Sequence, residues 1–325
     1  MKYTKLPLSI PDQISKLESR GMVFRNLSEK AVATDFLLHN SYYRFSIYAF
    51  SFQDRKDSKH LFVSGTHFED VLNLYYFDSE LRALLMKSIS KIEIAFRTQI
   101  INEYSLVHSG HWHLNAALFK KPKIVTKKIN GHIISTYHDY FSKFLNSQLK
   151  GIDRSQEEFI IHYYKKYTYP EIPPSWMCLE TLSFGDLSFL YANLDESTGP
   201  KINIAKHFGL NTTQLMSKWI HSMHIIRNIC AHHGRLWSKA IPVDVLSPND
   251  AGQNIMNQFV NVIQKDPRDR ARIYSSLCCI QYLLDIIEKD NEFRMELKSL
   301  MKMLPASKRG EMGFVKNWEN EPFWK

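Results

Sequence analysis

The chain has 325 residues, 44% of them hydrophobic and 23% charged, with only 12 Gly and 12 Pro. This composition excludes wholesale disorder and a turn-rich β fold, and it favours helices around one or two large cores. The formal charge of +9 suits a polyanionic partner, nucleic acid or an anionic surface, without choosing between them.

Cys178, Cys230, Cys278 and Cys279 form no CxxC pair and lie in apolar, helical contexts. Reduced, buried thiols of a cytoplasmic protein are therefore expected, rather than a zinc site or a disulfide framework. No stretch approaches the roughly 18 apolar residues of a membrane span, and the N-terminus lacks the apolar core of a secretory leader.

In chain order, Ser9-Ile10-Pro11-Asp12 opens a first helix with an apolar side at Ile14 and Leu17 and a stop at Gly21. A second helix is predicted over 28–38, followed by the aromatic block Asn40 to Tyr48 and a polar loop over 53–61. Thr66-His67-Phe68-Glu69 reads as a capping box, with Thr66 as N-cap. Helical periodicity follows through Phe68, Val71, Leu72 and Tyr75, and resumes after Asp78 with Leu81, Leu85, Ile89, Ile92 and Phe96. Glu93 and Arg97 are spaced to pair on that second run.

Residues 108–135 read as a solvated loop, with a basic run at Lys120, Lys121, Lys127 and Lys128 that could contact phosphates. Further helices are predicted over 136–149, 155–167, 176–193, 200–207, 212–235, 250–264 and 269–303. No β-alternation longer than a few residues, no repeat and no low-complexity tract is evident. The chain divides into an N-terminal helical region (1–110), a central one (111–245) and a C-terminal extension (246–325), together making one continuous globular unit.

The chemistry concentrates in WIHSMHIIRNICAHHGRLW, Trp219 to Trp237. On a regular helix His221, His224, Asn228, His232 and Arg235 fall within about 80° of one another, while Trp219, Met223, Ile226, Cys230 and Trp237 take the other side. Imidazole, amide and guanidinium in one line suit phosphodiester chemistry: His moves protons near neutrality and Arg binds a phosphorane. The same histidines could instead be structural, or the stripe could hold RNA without cutting it. A metal site is disfavoured, since HExxH is absent and no carboxylate lies on the stripe. The R-x4-H spacing of Arg227 and His232 is a weak pattern by itself, because Arg55 and His60 repeat it in the polar loop.

Here a resemblance becomes specific. RNICAHHGRLW resembles the RN-x-CAHH-x-RLW signature of the Abi family of abortive-infection proteins, the AbiD/AbiF-like group of phage-defence factors. SYYRFSIYAF, GTHFEDVLNLYYFDSELRALL with IEIAFRTQI, PPSWMCLETLSFGDLSFLYANL and MGFVKNWENEPFW are similar, in order, to the family's other blocks. Ser41, Ile47 and Val315 depart from its pattern, none of them within the Arg–His segment.

The resemblance implies an all-α, HEPN-like helical bundle with additional N- and C-terminal helices. It also implies a metal-independent endoribonuclease toxin of antiviral defence that needs no cofactor and is restrained by a small structured RNA. Arg227, Asn228 and His232 carry over as catalytic residues, with His233, Arg235 and His224 in support. RNA is the implied partner. A non-catalytic RNA-binding protein of a toxin–antitoxin or defence ribonucleoprotein is the alternative. Arg227 and His232 diverge by about 140° on one regular helix. A single motif per chain therefore points to a homodimer with a composite site.

Overall fold

In the computed structural model, which describes residues 2, 6–54, 59–246 and 266–325, the organising element is helix α4. It is preceded by α1 (Ile10–Ser19), α2 (Leu27–Asn40) and α3 (Tyr42–Ala49). Helix α4 itself runs unbroken over Phe68–His108, 41 residues or about 60 Å. Its segment has neither Gly nor Pro. It starts one residue later than the Thr66 reading: His67 is the N-cap, and its backbone N–H donates to Asp70 at 2.8 Å. Thr66 instead donates to the carbonyl of Val63 at 2.7 Å. The two periodic runs are one helix. Asp78, which interrupts the apolar pattern, is buried within it and satisfied there by polar partners.

The other helices lean on α4. After it come strands β1 (Lys123–Ile129) and β2 (His132–His138), then α5 (Tyr140–Arg154), α6 (Glu158–Lys166), α7 (Ser175–Cys178), α8 (Phe184–Asn193), α9 (Pro200–His207) and α10 (Thr213–Ala231). The chain ends through α11 (Pro267–Arg270), α12 (Ile273–Ile287), α13 (Phe293–Lys302) and α14 (Ala306–Gly310). Helices α3, α8, α9, α10, α12 and α13 all pack on α4. One apolar core runs from Ile14 to Trp324. Phe45 stacks on Phe68 at 4.5 Å, and Phe36 meets Tyr75 edge-on at 5.0 Å. At the C-terminus Phe314, Trp318 and Trp324 close over Tyr274, whose hydroxyl accepts from the Trp324 indole at 2.8 Å.

The protein is mainly helical, as expected, with one exception. The predicted loop over 108–135 contains an antiparallel hairpin, whose second strand also takes the first residues of the helix expected over 136–149. Asn130 (φ 50) and Gly131 (φ 85) supply the two left-handed residues that a tight hairpin turn needs. The Asn-Gly pair between β-branched residues was the signal for it. Other boundaries differ for local reasons. The stretch 176–193 breaks at Leu182 and restarts at the Ser183 cap, and 269–303 breaks between α12 and α13. The helix expected over 250–264 lies outside the described residues. All four cysteines are buried and free.

His113 is fully buried in the turn after α4, with neither ring nitrogen partnered among the described residues. Burial pulls its pKa down to about 4, whereas the unfolded chain titrates near 6.5. The unfolded state therefore binds the extra proton between these values. Stability should be full above about pH 6.5 and fall by up to about 3 kcal/mol as pH drops towards 4. Urea melts across this range should show the slope, and His113→Leu should flatten it.

Candidate functional site

Helix α10 is capped by Thr212, whose hydroxyl accepts from the Leu215 N–H at 3.2 Å. Its apolar side, Trp219, Met223, Ile226 and Cys230, is buried as its periodicity predicts. The Trp219 indole donates to Val245 O at 2.9 Å, and Ser222 meets Ser276 of α12 at 2.9 Å.

The helix ends at Ala231, four residues short of the expected boundary. His232 is the C-cap, and His233 turns into the left-handed region at φ 52. The N–H of Gly234 reaches back to Ile229 O at 2.8 Å and that of His233 to Cys230 O at 3.0 Å, closing a Schellman-type cap. Left-handed backbone costs a side-chain-bearing residue about 1–2 kcal/mol, so surrounding contacts must hold this turn.

They do so from two directions. Arg44 of α3 donates to His233 O at 2.6 Å, and Arg235 donates back to Ile47 O at 3.1 Å. Beyond them, the N–H groups of Leu236 and Trp237 donate to the Asp78 carboxylate at 3.1 and 2.6 Å. That carboxylate also accepts from Tyr48 Oη at 2.7 Å and from Arg82 at 2.5 Å. Burial pushes the Asp78 carboxyl up, while Tyr48, Arg82 and the two backbone donors pull it back. The aromatic block and the long helix thereby fix where α10 must stop.

This ending separates the five-residue stripe. His224 and Asn228 meet at 2.8 Å, so the Asn228 amide engages His224 rather than His232. Burial, with His221 and Arg227 adding to it, lowers the His224 pKa and favours its neutral ring. Gly185 of α8 passes close by: a Cβ there would lie 2.8 Å from His224 Nε2. Arg227 faces α4, its Nε 3.9 Å from Glu93 and its side chain about one-third exposed. Glu93 also pairs with Arg97 at 3.2 Å, as its spacing predicts, and Arg97 reaches Glu180 at 3.0 Å. Burial raises the Glu93 carboxyl, against the pull of Arg97 and Arg227. His232 and His233 are exposed at the helix end. Arg235 leaves the stripe for α3, because the chain has already turned.

The basic residues also divide. Lys120 is half-buried, its ammonium donating to Ala192 O at 2.7 Å. Lys121, Lys127 and Lys128 are exposed. Lys127 stands opposite Ile134 and Lys128 opposite Ile133, which places the two lysines on different faces of the hairpin. Of the loop copy of the motif, His60 is exposed and Arg55 lies outside the described residues. Among the described residues no three His, Cys, Asp or Glu side chains gather closely enough to hold a metal ion. Sequence reasoning missed Asp78, Glu93 as a partner of Arg227, and Gly185. A lone Asp in an apolar register with Arg four residues on was the available signal for Asp78.

The family model for Abi-like proteins matches residues 35–238, ending one residue past Trp237. The chain belongs to the Abi-like protein family. The matched span holds the whole assembly around the end of α10, from Arg44 and Tyr48 through Asp78 to Trp237. Membership links the chain to abortive infection, a form of phage defence. No curated protein and no solved structure matches the chain.

Removing the Asp78 carboxylate would leave Arg82 and two backbone N–H groups buried without their acceptor. Asp78→Ala should cost about 3–5 kcal/mol in a denaturant melt, the scale for breaking one side of a buried ion pair. A loss below about 1 kcal/mol would mean that the 232–237 turn is held by other contacts.

Proposed function

We propose that this Abi-like chain is a metal-independent endoribonuclease of abortive infection, cutting RNA at the end of α10. The observation that carries the reading is the built turn: a strained cap, clamped by Arg44 and Asp78, presents the exposed His232 ring five residues from a partly open Arg227. The strain lies at His233, directly after the exposed His232, and backbone strain of this kind clusters at active sites.

In the proposed reaction His232 takes the proton from a ribose 2′-OH. The freed oxygen attacks the adjacent phosphorus, and the P–O5′ bond breaks. The products are a 2′,3′-cyclic phosphate and a 5′-OH, whose leaving oxygen receives a proton. Arg227 binds the crowded phosphorane, and Glu93 positions its guanidinium without neutralising it fully. Asn228 acts on His224, which lies one turn back on the same face. His233 supplies the left-handed turn, and Arg235 ties that turn to α3. The exposed Lys121, Lys127 and Lys128 draw RNA in.

Twofold pairing of two chains through the α10 end would set Arg227 of one chain beside His232 of the other, making two composite half-sites. The alternative, RNA held without cleavage, draws on the basic hairpin: its lysines suit a structured regulatory RNA equally well.

His232→Ala and Arg227→Ala should each lower cleavage by about 10²–10⁴-fold and relieve growth inhibition, with full activity of the parent in EDTA. Both residues are at least partly exposed, so helicity and thermal midpoint should change little. Well-folded variants that retain full toxicity would remove the catalytic reading in favour of RNA holding.

A mixture of Arg227→Ala and His232→Ala subunits should regain part of the activity, because one of the two half-sites is then intact. A protein that stays monomeric by light scattering while active would place Arg227 and His232 in one chain instead.

A further inference from the structure

Two clefts adjoin beside α10. One, of about 520 Å³, opens between His221 and His224, the start of α8, and Lys143 and Ser147 of α5. The other, of about 530 Å³, continues past Lys143 and Ser147 to Lys150 and to Tyr137, His138 and Tyr140 at the foot of the hairpin. Phe189 lines both. Together they form one groove from the hairpin to His224, none of it used by the chemistry above except at that end.

We infer that this groove binds a single strand of RNA, bases against Tyr137, Tyr140 and Phe189 and backbone along Lys143 and Lys150, leading it to His221 and His224 on α10. The inference deepens the ribonuclease reading and rests on it for the direction of the strand.

Three observations support a single strand. The groove interleaves aromatic rings with lysines, the combination that grips unpaired nucleic acid by stacking and charge. Tyr137 is 66% exposed although it sits on a folded hairpin, and Tyr140 and Phe189 lie 6.5 Å apart. Lys143 holds its ammonium 4.6 Å above the Phe189 ring, so charge and stacking surface coincide. The two carboxylates of the groove are engaged in helix caps. Asp139 accepts from the Ser142 N–H at 3.0 Å and hydroxyl at 2.8 Å, and Asp186 accepts from the Ser183 hydroxyl at 2.6 Å. The bases of a duplex are already stacked and paired, and cannot lie flat against the half-buried rings of Tyr140 and Phe189. The side-chain ends of the groove therefore select unpaired RNA.

The test uses the full chain carrying His232→Ala, so that bound RNA is not cut, and fluorescence anisotropy with a labelled oligouridylate. A duplex RNA of equal length is the comparison. Single-stranded RNA should bind more tightly than duplex, and Tyr137→Ala should weaken it about tenfold. Lys143→Ala with Lys150→Ala should lower the log–log salt slope by about 1.4, two contacts at about 0.7 each. All three side chains are exposed, and circular dichroism checks that the variants fold. Ultraviolet crosslinking should place uridine on the peptide containing Tyr137. Variants that bind like their parent, or a parent that prefers duplex, would overturn the groove. Cleavage assays on the wild-type chain separate the two ideas: a wild-type chain that leaves RNA uncut defeats the ribonuclease reading even if the groove binds RNA.

Discussion

The Asp78 carboxylate, buried in the first third of the longest described helix, is the group on which the site depends. A carboxylate there carries a desolvation penalty of several kcal/mol unless donors surround it. Tyr48, Arg82, Leu236 N–H and Trp237 N–H provide them, from α3, from α4 and from the segment after α10. One buried charge thus joins three distant parts of the chain, and the junction has a geometric consequence. With Leu236 and Trp237 pinned to α4, α10 has no room to extend beyond Ala231. The chain must turn sharply at His233, and His232 is left at an exposed end. An apolar residue at position 78 could fill the space, but it could not call in the backbone N–H groups that set the turn.

Legibility in the sequence followed the range of the interaction. Local signals read well: the Ser9 cap, the apolar side of α10 and the Glu93–Arg97 spacing all have counterparts in the structure. What was illegible was set at long range. Periodicity carried the helix on to residue 235, because nothing between Ala231 and Arg235 is a breaker except Gly234. The stop comes from Arg44 and Asp78, 189 and 158 residues away from their backbone partners. The stripe of five was therefore sound as helical arithmetic and correct only up to the last turn. The hairpin is the opposite case. Its Asn-Gly turn was local and readable, but the surrounding lysines suggested a loop, and the strands carry no buried face to give a clear alternation: β2 is exposed along nearly its whole length.

The site residues sort by what holds them. His224, Asn228 and Gly185 make a close-packed corner, in which burial lowers the imidazole pKa. Arg227 is held by one long contact to Glu93, whose charge Arg97 shares. A guanidinium kept at 3.9 Å by a carboxylate with a second cation retains part of its positive potential. Among the described residues no hydrogen bond or ion pair restrains the His232 ring, and its backbone sets its place. Over little more than two turns, from His224 to His232, the restraint thus falls from a close-packed corner to a loosely tethered cation and an exposed imidazole.

The same sorting applies to the charge of the whole chain. Many arginines are structural: Arg82, Arg97, Arg294 and Arg309 lie in ion pairs with Asp78, Glu93, Asp285 and Glu319. Arg44 holds the His233 carbonyl of the α10 turn, and Arg235 of that turn holds the Ile47 carbonyl of α3. The exposed cations near the groove are lysines instead: Lys121, Lys123, Lys127 and Lys128 on or beside the hairpin, and Lys143 and Lys150 on α5. The division has a physical basis. Planar, bidentate guanidinium suits fixed carboxylate and carbonyl partners, whereas a hydrated ammonium on a flexible stem suits a polyanion whose backbone moves. An excess of +9 therefore understates how unevenly charge is laid out. Positive charge near α10 is concentrated on the hairpin and along the groove, and Arg227 adds a partly exposed guanidinium from α10 itself.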